Sequence, residues 1–233
     1  MAISTKTLFH FSTYDNIVNI LKSKYFRVCY SKESFHFRPE LSTFYFPMVC
    51  FCDIPLTMTK DHIQDYDGYA IGLKKEWAIS HGLNPVFYIS EMALTVTLEK
   101  LSYGANREIN GKTGFEHLIC FLKPIKGNDH KWQKEKYFYN EREWRFVPML
   151  SLYTDAYEQY YYEKDYPSDL NEKIIGHRLY NLPFKISDIQ YLIVKSEDKK
   201  KDLIDFLRES DYSEAIIQNA IRVFSMEEVF ENF

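Results

Sequence analysis

The apolar run Leu8-Phe9-His10-Phe11-Ser12 reads as a short strand. Directly after it, Ile17, Val18, Ile20 and Leu21 recur at helical spacing, with Thr13 or Asp15 placed to cap the helix. A strand that turns straight into a helix is predicted. Tyr25 to Tyr30 reads as a second strand, whereas Ser31 to Thr43 shows no clean period. Phe46 to Leu56 is a nearly continuous apolar run with two prolines, which suits a buried strand ending in a turn.

Beyond it the pattern predicts a short helix over Thr57 to Tyr66, a strand over Tyr69 to Leu73, and a helix over Lys75 to His81 closed by Gly82. Pro85 to Ile89 and Glu116 to Leu122 are further strand candidates, and Glu141 to Val147 alternates most clearly. Tyr153 to Tyr166, with six tyrosines, reads as a surface helix or loop. The last third predicts a strand at Ile189 to Val194, helices near Lys200 to Glu209 and Ser213 to Ala220, and a strand at Ile221 to Phe224. A final helix is opened by Ser225 with Glu228 three residues on. Strands and helices mix without a regular βαβ rhythm, a repeat or a linker. The expectation is one domain over 1–233 of the α+β class, with short helices flanking a mainly antiparallel or split sheet.

Composition sharpens this picture at two points. Aromatic residues are 17% of 233, from 19 Tyr, 18 Phe and 3 Trp, while glycine is only 8, so flat side chains line either a large core or a stacking surface. The formal charge of −4 gives no global attraction to nucleic acid. The uncharged run Leu41 to Cys52 has 12 residues, short of the roughly 20 that cross a bilayer. No secretory leader pattern is present at the start. Cys29, Cys50, Cys52 and Cys120 have no zinc-ligand spacing, so a cytoplasmic protein with free thiols and no metal is expected.

Candidate chemistry centres on Glu141-Arg142-Glu143-Trp144-Arg145-Phe146-Val147. As a strand it places Glu141, Glu143 and Arg145 on one face and Arg142, Trp144 and Phe146 on the other. Two readings stay open: a solvated ion-paired face, or a carboxylate pair in a cleft where like charge raises one pKa and Arg145 offsets part of it. Trp144 and Phe146, on the other face of the strand, are expected to be buried. His10 shares its strand face with Leu8 and Ser12, and is either a core histidine or a ligand-facing group with Ser12 beside it. Asp53 suits a turn or cap at least as well as catalysis, and Tyr66 or Tyr69 offers an aromatic plate with a polar tip or ordinary core packing. Lysines 123, 126, 131, 134 and 136 read as a solvated loop, with phosphate binding as the alternative. No glycine-rich phosphate loop or serine-hydrolase motif is found.

The string PMVCFCDIPL from Pro47 to Leu56, the stretch Tyr66-Asp67-Gly68-Tyr69-Ala70-Ile71-Gly72-Leu73, the opening LFHFS and NEREWRFVP at 140–148 together resemble the AbiGi family of abortive phage resistance proteins. That family's description carries the word antitoxin. The layout of His-x-Ser on a first strand, an aromatic on a middle strand and a Glu on a late strand is also similar to the ADP-ribosyltransferase superfamily. This second resemblance implies NAD as substrate, with no metal. It implies His10 and Ser12 on the ribose, Tyr66 or Tyr69 against nicotinamide, and Glu143 with Glu141 as catalytic acids. Arg145 lies in the same constellation. A carboxylate there would stabilise the cation-like ribose as nicotinamide leaves. The middle strand departs from the superfamily: Cys50-Phe51-Cys52 stands where a Ser-Thr-Ser is expected. Two functions therefore stay open: NAD-dependent transfer in phage defence onto a protein or nucleic-acid acceptor, or a non-enzymatic antitoxin that binds a toxin partner.

Overall fold

A computed structural model describes residues 5–37, 40–58, 67–90, 115–129, 134–150 and 157–232. The fold is α+β, with mostly antiparallel pairing and several short helices. The chain forms two compact units, each assembled from separate segments. The first comprises Met1–Phe26, Cys50–Leu83 and Leu182–Phe233, and the second Arg27–Val49 and Asn84–Asn181.

The first unit is built on the strands Thr7–Ser12, Tyr69–Lys74, Ile189–Val194 and Arg222–Ser225. Thr7–Ser12 pairs antiparallel with Tyr69–Lys74 from Thr7↔Lys74 to Ser12↔Tyr69, and on its other side Phe9 meets Cys52. Ile189–Val194 runs antiparallel to Tyr69–Lys74 and parallel to Arg222–Ser225. Strand alternation then divides the side chains. Phe9, Phe11, Ala70 and Ile193 form one face, buried with Met226 and Val229 of the last helix. Leu8, Ile71 and Leu73 are buried on the other face, and the helix Tyr14–Ser23 buries Ile17 and Leu21.

Local chemistry explains several of these boundaries. Thr13, one of the two cap candidates, accepts a hydrogen bond from the Asn16 backbone N–H and caps the first helix. Ser225 and Glu228 form the reciprocal box expected from their spacing: the Ser225 N–H donates to Glu228 at 2.9 Å, and the Glu228 N–H donates to the Ser225 hydroxyl at 3.2 Å. Gly72 sits opposite Phe9, and a Cβ there would lie 2.8 Å from the Phe9 ring, so the aromatic covers the glycine's bare backbone. Asp67 and Gly68, both with positive φ, make the turn into Tyr69–Lys74.

In the second unit, Cys29–Phe37 pairs antiparallel with the long strand Glu40–Cys52 from Cys29↔Met48 to Phe37↔Glu40. The stretch without a clean period is therefore this hairpin. Tyr161–Tyr162 adds to the long strand opposite Tyr45 and Phe44, so part of the tyrosine-rich segment is paired strand rather than surface helix or loop. Its rings are packing elements, with Tyr45 and Tyr166 stacked at 3.8 Å. The strand expected over Glu116 to Leu122 is instead a helix, Phe115–Ile119, followed by the strand Leu122–Pro124. Leu122–Pro124 pairs parallel with Phe87–Ile89, and Glu143–Phe146 pairs antiparallel with Asn84–Pro85. The helix expected over Thr57 to Tyr66 lies mostly outside the described residues, which show a single 3-10 turn at Leu56–Met58. Among the described residues no helix is long and apolar enough to cross a membrane.

Candidate functional site

The charged residues singled out around position 143 form the centre of the second unit. Glu143–Phe146 is a four-residue strand whose alternation sends Glu143 and Arg145 to the same side. Glu141 is not on that strand: it closes a 3-10 turn, Phe138–Glu141, and Arg142 follows in the left-handed region at φ 47. The turn still brings Glu141 beside Glu143, through a shared cation. Lys123 donates to Glu141 at 2.8 Å and to Glu143 at 2.5 Å. Arg145 donates from Nε to Glu143 at 2.6 Å, from Nη2 to Glu33 at 2.5 Å, and from Nη1 to the Cys120 carbonyl at 2.6 Å. Lys136 reaches the other oxygen of Glu141 at 3.1 Å.

Among the described residues, three acids thus meet three bases in a largely buried place. Arg145 is 0% exposed and Glu143 4%. The polar strand face is the interior face, whereas Trp144 and Phe146 are half-buried, so the expectation of a buried aromatic face is inverted. Compensation makes this possible. A buried carboxylate is tolerated when cations and hydrogen bonds replace its lost hydration. Burial pushes the Glu143 carboxyl up, but Arg145 and Lys123 beside it more than reverse that and hold it well below the usual carboxylate range. Burial works against the charge of Lys123, and Glu143, Glu33 and Glu141 together hold its pKa well above the ordinary lysine value. The Glu143 backbone N–H donates to the Tyr88 hydroxyl at 2.8 Å, and burial raises that phenol. The arrangement keeps Glu143 ionised and fixed, with each oxygen already taken by a cation. A carboxylate so held has no proton to give.

Lys123, Glu33 and Lys136 belong to this network; the pattern groups Lys123 and Lys136 with the solvated lysines and does not single out Glu33. The neighbours of Lys123 in Phe121-Leu122-Lys123-Pro124-Ile125 are apolar, and that is the signal in the sequence that it lies inside.

The remaining candidates sit in the first unit. His10 and Ser12 share a face with Tyr69, because residues directly opposite in an antiparallel pair project to the same side. The His10 Nδ1–H donates to the Cys50 carbonyl at 2.9 Å, which leaves Nε2 as an acceptor in the neutral ring. Its ring lies 5.0 Å from Phe26 and 5.5 Å from Phe51. Burial pushes its pKa down, the Cys50 carbonyl opposing. These are the surroundings of the core-histidine alternative. Ser12 accepts from the Asn16 amide at 3.1 Å, and Tyr69 packs 5.5 Å from Tyr14. Asp53 is a structural anchor, accepting from the Thr5 N–H at 3.0 Å and from Lys75 at 2.6 Å. Tyr66 lies outside the described residues.

Comparison with known proteins supplies the context that geometry does not. A sequence profile described as "Putative abortive phage resistance protein AbiGi, antitoxin" matches residues 22–195, most of the chain. The chain belongs to the AbiGi family. A relative, the abortive phage resistance protein AbiGi of Lactococcus lactis subsp. cremoris, is 28% identical over 202 residues, covering 72% of this chain and 79% of the relative. No solved structure matches this AbiGi chain. The family assignment spans both units, and it places this member among abortive phage resistance proteins.

Proposed function

We propose that this AbiGi protein acts in abortive phage resistance by binding, as the neutralising member of a toxin–antitoxin pair, and not by turnover of NAD. The observation that carries this reading is the state of Glu143. The transferase role needs a carboxylate open to an incoming ribose, and here both oxygens are held at 2.5–2.6 Å by buried Lys123 and Arg145. The antitoxin wording of the family description supports the same side.

The experiment has a genetic and a chemical arm. Deleting this gene alone from its resistance locus should arrest growth without phage, because the partner toxin is then free, and restoring the gene should rescue it. NAD titrated into the purified chain should give no saturable heat, and no nicotinamide should be released with protein or nucleic acid present as acceptor. Harmless deletion, or nicotinamide release that disappears in Glu143→Gln, overturns the proposal and restores the NAD-dependent transferase reading.

A further inference from the structure

A cleft of about 680 Å3 opens at one end of the sheet in the first unit, and the residues discussed so far do not use it. Its volume falls within the roughly 300–1,000 Å3 of small-molecule sites. Tyr191, half-buried, is one of its lining residues, at the point where Ile189–Val194 lies between two neighbouring strands. Arg222 is directly opposite Tyr191 on one side and Gly72 is opposite on the other. Lys74, two residues beyond Gly72, shares its face. Two strand spacings of about 4.8 Å across and two residues of about 3.4 Å along put Lys74 and Arg222 about 12 Å apart at the backbone. Both side chains are long enough to converge on one group between them.

The charges in this cleft are unevenly committed. Asp211 is paired with Lys24 at 2.5 Å, while Glu214 accepts only from the neutral Gln218 amide at 3.0 Å and so leaves one carboxylate charge against two cations. Among the described residues the side chains of Lys74 and Arg222 have no ion-pair or hydrogen-bond partner, although both line the cleft. A register shift in the strand falls at Gln190, between Ile189 and Tyr191. Such irregularities re-aim side chains beside binding sites. The Gln190 carbonyl oxygen accepts from the Thr7 hydroxyl at 2.5 Å, so what this residue offers a ligand is its amide N–H2, a donor. Uncommitted cations and a donor amide beside an aromatic side chain fit a negatively charged guest.

We propose that this cleft binds a small phosphate- or carboxylate-bearing molecule whose anionic group sits between Lys74 and Arg222. Charge-assisted bonds to guanidinium and ammonium hold that group, and the Tyr191 side carries the rest of the molecule. The site is independent of the buried network, so it stands or falls apart from the antitoxin reading.

The test is calorimetric titration of the full chain with three probes: pyrophosphate and adenosine monophosphate for phosphate, citrate for carboxylate. At least one should bind saturably with Kd below about 1 mM. Lys74→Gln and Arg222→Gln should each weaken it about tenfold, and Arg222→Lys should recover part of the loss. The exposed Lys164, in the other unit, serves as control, and Lys164→Gln should leave binding unchanged. Arg222 is itself exposed, so its replacement leaves folding intact. Comparing the phosphate and carboxylate arms identifies the head group. No saturable binding of any probe, or an unchanged Kd in both glutamine variants, overturns the proposal.

Discussion

Replacing Arg145 with methionine tests the physical account of the buried network most directly. The side chain is fully enclosed and, among the described residues, makes charge-assisted contacts to Glu143, Glu33 and the Cys120 carbonyl. Each such bond contributes about 1.5–3 kcal/mol, for a gross loss of about 4.5–9 kcal/mol. Lys123 stays 2.5 Å from Glu143 and 3.9 Å from Glu33 and keeps part of the compensation. Methionine also returns apolar contact in much of the same volume. Breaking a buried pair on one side costs about 3–5 kcal/mol, and Arg145→Met should fall there. For a chain of this length that lowers Tm by about 6–20 °C, measured by scanning calorimetry. The double variant Glu143→Leu/Arg145→Met should be more stable than the sum of the two single variants by more than about 0.5 kcal/mol, because neither charge is then orphaned. A loss below about 1 kcal/mol for Arg145→Met, or strict additivity, would refute the claim that these charges compensate one another in the interior. Lysine at 145 should not rescue, since a single ammonium cannot span three acceptors.

Acid titration should report the same network: the folded pKa of Glu143 is depressed below an unfolded value near 4.3, so its stabilisation is complete above that pH and fades as pH falls below it. Glu143→Gln should lower stability at pH 7 and flatten that acid limb in urea titrations at stepped pH; an unchanged slope would remove Glu143 as its source. Gly72→Ala places a methyl 2.8 Å from the Phe9 ring and should cost about 1–3 kcal/mol in urea unfolding, with Phe9→Leu in the same chain relieving part of it. A neutral Gly72→Ala would show that the ring does not need the bare backbone.

Much of the first unit was legible from the sequence, because its information is local. The Leu8–Ser12 strand, the Thr13 cap, the helix behind it, the Tyr69 strand and the Ser225/Glu228 box each depend on residues within a few positions of one another. Periodicity and capping chemistry act at that range. The family was legible too, since its motifs lie in the sequence and the profile match spans residues 22–195. What the tertiary structure alone decided was the sense of the charged strand. Alternation places Glu143 and Arg145 on one face but does not say which side holds water. That was set by partners 18 to 112 positions away: Lys123 relative to Glu141, and Glu33 relative to Arg145. Burial of a charge is a property of what is packed around it, and the apolar neighbours of Lys123 mark it as inside without saying which carboxylates it meets there. For the same reason a pair of carboxylates that resembles a catalytic motif in sequence becomes, in three dimensions, the anionic half of a neutral core. The cleft between Lys74 and Arg222 was equally invisible, because residues 148 positions apart meet there only through the pairing of three strands.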